Sequence, residues 1–232
     1  EDLLYVNMQL HLAEDSIRTL LLRLLKIMKK QIRFAFHILT HPFDGFWDMR
    51  FDKKGSIWMA LLGYVMLIVS NVIQKEVTNY LFNDHAMTLT DIGMEIQMVL
   101  IPSALFCIGN WSVTTLLDGE GRFKDIVMAL GYSMYPLSII PIPLAFLSLA
   151  FTYSESVYYT GLIAISGIWF FFLLFAGIMT IHQYSVTKMI ATTVLTIFAM
   201  IILVFIGLLF FELISQFFVF ATAVYQELSF RY

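Results

Sequence analysis

A single cysteine, Cys107, stands in the 232 residues, and it lies inside an apolar run. That excludes an intrachain disulfide and a cysteine metal cluster, and leaves the redox compartment unmarked. Charge is scarce as well. Asp, Glu, Lys and Arg together make up 13% of the chain, where soluble domains carry roughly a quarter. With a net charge of −3, no overall basic field points to nucleic acid. No GxSxG, phosphate loop, dinucleotide fingerprint or HExxH spacing occurs, and no nucleophile stands near a base. An enzyme, a cofactor and a metal ion are therefore not expected. Internal repeats at solenoid spacing and low-complexity tracts are absent too. Residues 1–40 show no short basic-then-apolar run ahead of a small-residue cleavage site, so they read as structure rather than as a signal.

What fills the chain is apolar: 59% of residues are hydrophobic and the mean hydropathy is +0.81. This composition is that of a membrane protein. Five runs are long enough for the roughly 20 apolar residues a bilayer crossing needs: Ile57 to Gln74, Ile92 to Leu117, Ile126 to Phe151, Val157 to Ile181 and Met189 to Phe211. They lack the alternation of barrel strands, so backbone groups in lipid must be satisfied within helices. The expected fold is all-α, a polytopic bundle of five transmembrane helices occupying residues 57–232, with an arm at 1–40 and a juxtamembrane segment at 41–56. Twelve of the fourteen Lys and Arg fall before the first span or in the second-to-third and fourth-to-fifth connections; only Lys75 and Arg231 fall elsewhere. The positive-inside rule then puts the N-terminus in the cytosol and the C-terminus on the far side of the membrane.

In the arm, Arg18, Arg23, Lys26, Lys29, Lys30, Arg33 and His37 fall within an arc of roughly 140° at helical spacing, with Ile17, Leu20, Leu21, Leu24, Ile27, Met28, Ile32 and Leu39 opposite. Asp15 or Ser16 can cap this basic amphipathic helix, and Pro42 makes its continuation past His41 unfavourable. Two uses fit the pattern: lying on the cytosolic leaflet with Arg18, Arg23, Lys26, Lys29, Lys30 and Arg33 near anionic lipids, or packing on another polypeptide. Next comes HPFDGFWDMRFDKKGS, residues 41–56. Pro42 and Gly45 suggest a turn, Phe43, Phe46 and Trp47 an aromatic belt at headgroup depth, and Lys53 with Lys54 the pin of the first span.

Further along, LLDGEGRFKD at 116–125 reads as a tight, self-neutralising surface turn; its carboxylate spacing is not that of a calcium loop. Pro136, Pro141 and Pro143 should kink or break the third span. Asp91 and Glu95, and Glu212, fall near the external ends of their spans, where headgroups are within reach, and Asn110 can join helices through its amide. On the expected topology three polar motifs share the cytosolic side. They are His41, Pro42, Asp44, Gly45 and Trp47; Asp118, Gly119, Glu120, Gly121 and Lys124; and His182, Tyr184 and Lys188. A metal or anionic ligand is one reading of that gathering, unrelated turns another, and a partner-docking surface the preferred one.

Three stretches carry a resemblance: HPFDGFWDMR at 41–50, GNWSVTTLLDGEGRFKDIVMALGYSMYPLSIIPIP at 109–143 and HQYSVTKM at 182–189. From about residue 40 onward the chain is similar to the bacterial branch of the Yip1 domain family. Gly119 to Gly121, Phe123, Gly131, Tyr132 and Pro136 agree best with that family's short turn and following helix. The resemblance implies a five-span bundle with a cytosolic N-terminus, and its bacterial character implies a plasma membrane. It also implies membrane lipids and other integral membrane proteins as partners, among them the subunits of carbohydrate ABC importers. An accessory or scaffold subunit is the leading function. A small-solute channel or transporter, and a membrane-trafficking or membrane-shaping adaptor, are the alternatives.

Overall fold

The computed structural model describes residue 18 and residues 22–23, 25–82 and 91–229. Asp15, Ser16, Ile17, Leu20, Leu21, Leu24 and Arg231 lie outside the described residues. Among those described, the regular structure is helical throughout. Helix α1 covers residues 25–40 and α2 Pro42–Arg50; α3 is Ile57–Val77 and α4 Ile92–Leu116. Three short helices follow, α5 Phe123–Ser133, α6 Pro136–Ile139 and α7 Pro141–Leu147, then α8 Ser156–His182 and α9 Val186–Ser229. Five stretches are long and apolar enough to cross a membrane: α3, α4, Phe123–Ala150, Tyr153–His182 and Val186–Glu227.

Local signals explain most boundaries. Asp91 caps α4, its carboxylate accepting from the Gly93 and Met94 amides at 2.8 and 3.3 Å. The third span breaks as expected, with α6 and α7 each opening on a proline. Pro141 has no N–H to offer the carbonyl four residues back, that of Leu137. Ser70 on α3 supplies the missing donor, its hydroxyl lying 3.2 Å from Leu137 O. Helix α8 stops at Gln183, whose φ of 55° is left-handed. No comparable stop follows Phe211, so α9 runs on to Ser229. At about 1.5 Å per residue its 44 residues exceed the hydrocarbon core roughly twofold. Glu212, expected at a span's end, bonds Gln216 one turn later at 3.1 Å.

The broken third span is the centre of the bundle. Half of it is buried, against 6% of the last span. Its closest neighbour is α3, where the two backbones nearly touch. A Cβ on Gly63 would lie 2.1 Å from Gly131 O, and one on Gly131 would lie 2.4 Å from Ala60 O. Small residues at a crossing are how helices associate in lipid, where hydrophobic driving force between them is absent. Tyrosine hydroxyls reinforce it, Tyr135 donating to Met59 O at 2.7 Å and Tyr64 to Val127 O at 3.0 Å. Tyr132 accepts from the Ser56 amide at 3.0 Å. On the other flank α4 meets α9, and Asn110 Nδ2 donates to Thr196 Oγ1 at 3.2 Å. Glu95, in the first turn of α4, is buried and ion-paired with Lys75, tying the end of α3 to the start of α4. A carboxylate so placed needs that partner, because an unpaired charge is costly to bury.

The juxtamembrane segment differs most from its reading. Pro42 opens α2 at a first-turn position, where its missing N–H costs nothing, so the reversal sits at His41 instead of at Gly45. Gly45 lies inside the helix, because a Cβ there would stand 2.8 Å from Ile38 Cα of α1. Phe46 is fully buried beneath Gly177 of α8 rather than in a belt; Phe43 and Trp47 remain exposed. Helix α1 leans on the bundle through Ala35, Ile38 and the edge of Phe34 against Tyr132. Ile27, Met28, Ile32 and Phe36 stay exposed. Among its described residues the amphipathic helix thus packs Ala35 and Ile38 on its own chain and leaves Ile27, Met28 and Ile32 of its apolar face open.

Candidate functional site

At the end of the bundle that carries Lys54, Arg122, Lys124 and Lys188, the three polar motifs meet. The turn between α4 and α5 is set by Asp118 in a left-handed conformation, φ 53°, and by the Gly119 amide donating to Thr114 O at 2.7 Å. It then lies against the end of α8. The Gly121 amide donates to His182 Nδ1 at 3.2 Å, and the Tyr184 hydroxyl to Leu117 O at 3.1 Å. Side chains cannot intervene here. A Cβ at Gly119 would come within 2.5 Å of His182 Nδ1, and one at Gly121 within 2.6 Å of His182 Cε1. The His182 and Tyr184 rings stack at 5.3 Å, and Lys188 Nζ stands 4.5 Å over the tyrosine. Burial, with the nearby Asp118 carboxylate, pushes the Tyr184 phenol above its ordinary value, so it stays a donor at neutral pH.

Helix α2 closes the latch. Arg50, counted in the sequence only among the basic residues ahead of the first span, donates to Glu120 O at 2.7 Å and pairs with its carboxylate at 3.5 Å. Asp125 accepts from the Arg122 backbone amide at 3.2 Å and from its Nε at the same distance. Two buried nitrogens, Arg50 Nη1 and His182 Nε2, have no partner among the described residues. With Nδ1 accepting from Gly121, the neutral imidazole carries its proton on Nε2, so both are donors. Among the described residues, no three His, Cys, Asp or Glu gather as metal ligands would.

Beside the latch runs a groove of about 320 Å³ between α2 and the end of α8, lined by Phe43, Asp44, Trp47, Thr180, Gln183 and Tyr184. Phe43 and Trp47 are each 46% exposed, a large aromatic area to leave open beside one carboxylate. Phe43 also meets Phe172 edge-on at 6.4 Å.

A family model for the Yip1 domain matches residues 36–223, from within α1 to the distal part of α9. The chain belongs to the Yip1 domain family. No curated protein and no solved structure matches it. Within this Yip1 domain the predicted residues separate into two sets. Pro42, Gly45, His182 and Tyr184 are buried and bind the chain to itself. His41, Asp44, Trp47, Asp118, Glu120 and Lys124 are exposed. His41 points elsewhere, stacking on His37 at 5.2 Å and bonding Thr40. Gly119, Gly121 and Lys188 are half-buried at the seam. Missed in the sequence were Arg50 as a clamp, the Thr114 and Leu117 carbonyls as acceptors, and Thr180 and Gln183 as groove walls. Only Arg50 carried a signal, its charge.

Proposed function

We propose that this Yip1 domain protein is a non-catalytic accessory subunit that docks a second integral membrane protein at the groove between α2 and α8. The observation that carries this reading is the pair of half-exposed aromatics, Phe43 and Trp47, flanking Asp44 at a rigidly latched end. Aromatic anchors in a concavity with one charged group are the usual energetic centre of an interface. The occupant that fits is a partner segment placing Lys or Arg against Asp44, with apolar side chains over the aromatics. The 12-to-2 distribution of basic residues supports a cytosolic place for this end, with the N-terminus on the same side and the C-terminus opposite. Resemblance to bacterial members points to a carbohydrate ABC importer as the partner, by analogy of family.

Charge placement supports docking over solute passage. The buried carboxylates among the described residues, Glu95 and Asp125, lie near the ends of their spans and are paired with Lys75 and Arg122. Transport pathways are instead marked by ionisable groups at membrane depth. The test is affinity capture from native membranes with wild type and with Trp47→Ala plus Asp44→Lys. The partner should be recovered by the former and lost by the latter. Selective solute flux through the lone protein in proteoliposomes, with no partner recovered, would overturn the reading.

A further inference from the structure

A second concavity lies between α1 and the segment leading into the first span. It measures about 290 Å³ and is lined by Lys30, Gln31, Arg33, Phe34, His37 and Lys54. We propose that it holds the headgroup of an anionic glycerophospholipid, specifically one whose headgroup carries a free hydroxyl. Four observations converge on it. Lys30 and Arg33 form no ion pair among the described residues, so their charge is available to a phosphodiester. Lys54 is already neutralised, 2.8 Å from both Asp48 and Asp52, so it marks the depth of the site more than it adds charge. That depth is three residues before α3 enters the apolar layer at Ile57, which is headgroup level. From there Trp58, Leu61, Leu62, Val65 and Val69 form one exposed stripe on α3 along which acyl chains can lie.

The choice of headgroup comes from Gln31. Its amide oxygen is buried with no hydrogen-bond partner among the described residues, on the wall that also presents Lys30 and Arg33. A buried acceptor left unpaired is destabilising, and a phosphate cannot donate to it, but a headgroup hydroxyl can. Cations for the phosphodiester and an acceptor for a hydroxyl together describe a phosphatidylglycerol-like ligand. The site differs from a diffuse cationic helix face because it needs particular residues as well as net charge.

The experiment uses the full-length protein in nanodiscs of phosphatidylcholine alone, or doped with phosphatidylglycerol or with phosphatidylmethanol, which is anionic but has no headgroup hydroxyl. Retained lipid is read by native mass spectrometry after release. Wild type should retain phosphatidylglycerol over phosphatidylmethanol, and either over phosphatidylcholine. Lys30→Gln with Arg33→Gln should lower retention of both anionic lipids by roughly tenfold or more. Gln31→Leu should abolish the preference between the two while keeping both above phosphatidylcholine. Arg23→Gln with Lys26→Gln removes the same charge outside the cavity and should lower retention by no more than about twofold. Equal losses in the two double variants would mean a diffuse surface and overturn the site. Displacement of bound lipid by millimolar inorganic phosphate or glycerol phosphate would assign the pocket to a soluble anion and overturn the lipid.

Discussion

Ser70 shows how a single side chain completes a helix that its own proline leaves incomplete. Lipid offers no water to the carbonyl of Leu137, so the hydroxyl 3.2 Å away is its substitute. Ser70→Ala should lower stability by about 1 kcal/mol, read as unfolding in detergent, whereas Ser112→Ala, whose hydroxyl returns to its own helix, should be close to neutral. Arg50 has the same standing at the latch. Arg50→Gln removes the pairing to Glu120 and should free the turn between α4 and α5. Trypsin should then cut after Arg122 or Lys124 several times faster than in the wild type. Unchanged cleavage would mean that Gly121 and Tyr184 hold the turn without the clamp.

At the scale of elements, the crossing of α3 and α5 decides how the bundle is held. Gly63 and Gly131 leave no room for a side chain between the two backbones, and the obstructing atoms are carbonyls, which cannot rotate away. Gly131→Leu should cost about 1–3 kcal/mol or prevent assembly, while Gly167→Leu and Gly207→Leu, with nothing within 4 Å, should be tolerated. Thermal unfolding of the three variants in one detergent separates these outcomes; equal loss in all three would mean that glycine matters here for reasons other than contact. The third span's breaks could be read from Pro136, Pro141 and Pro143, because proline's missing donor is a local property. The course of α2 could not. Pro42 and Gly45 together resemble a turn, and only the approach of Ile38 shows that Gly45 is small to admit a neighbouring helix.

For the whole molecule, the arrangement of charge is the strongest guide to orientation. In a Cys107→Ser background, Lys124→Cys and Ser154→Cys stand at opposite ends of the bundle, both exposed. An impermeant thiol reagent applied from outside should label the second and spare the first; the reverse would turn the protein over. The sequence alone determined the number of spans, the all-helical class, the family and the kinked third span. The spans, the helical class and the kink follow from apolar run length, backbone hydrogen bonding in lipid or proline chemistry, which act within a few consecutive residues, and the family from motifs matched along the chain. Only the tertiary structure decided that Glu95 is neutralised by Lys75 and that Phe46 is core while Phe43 and Trp47 are surface. It also made His182 and Tyr184 hold the turn that carries Glu120. These depend on pairs far apart in the chain, such as Arg50 with Glu120 and Gly121 with His182, and hydropathy is blind to them because the lipid-facing and buried sides of these helices are equally apolar.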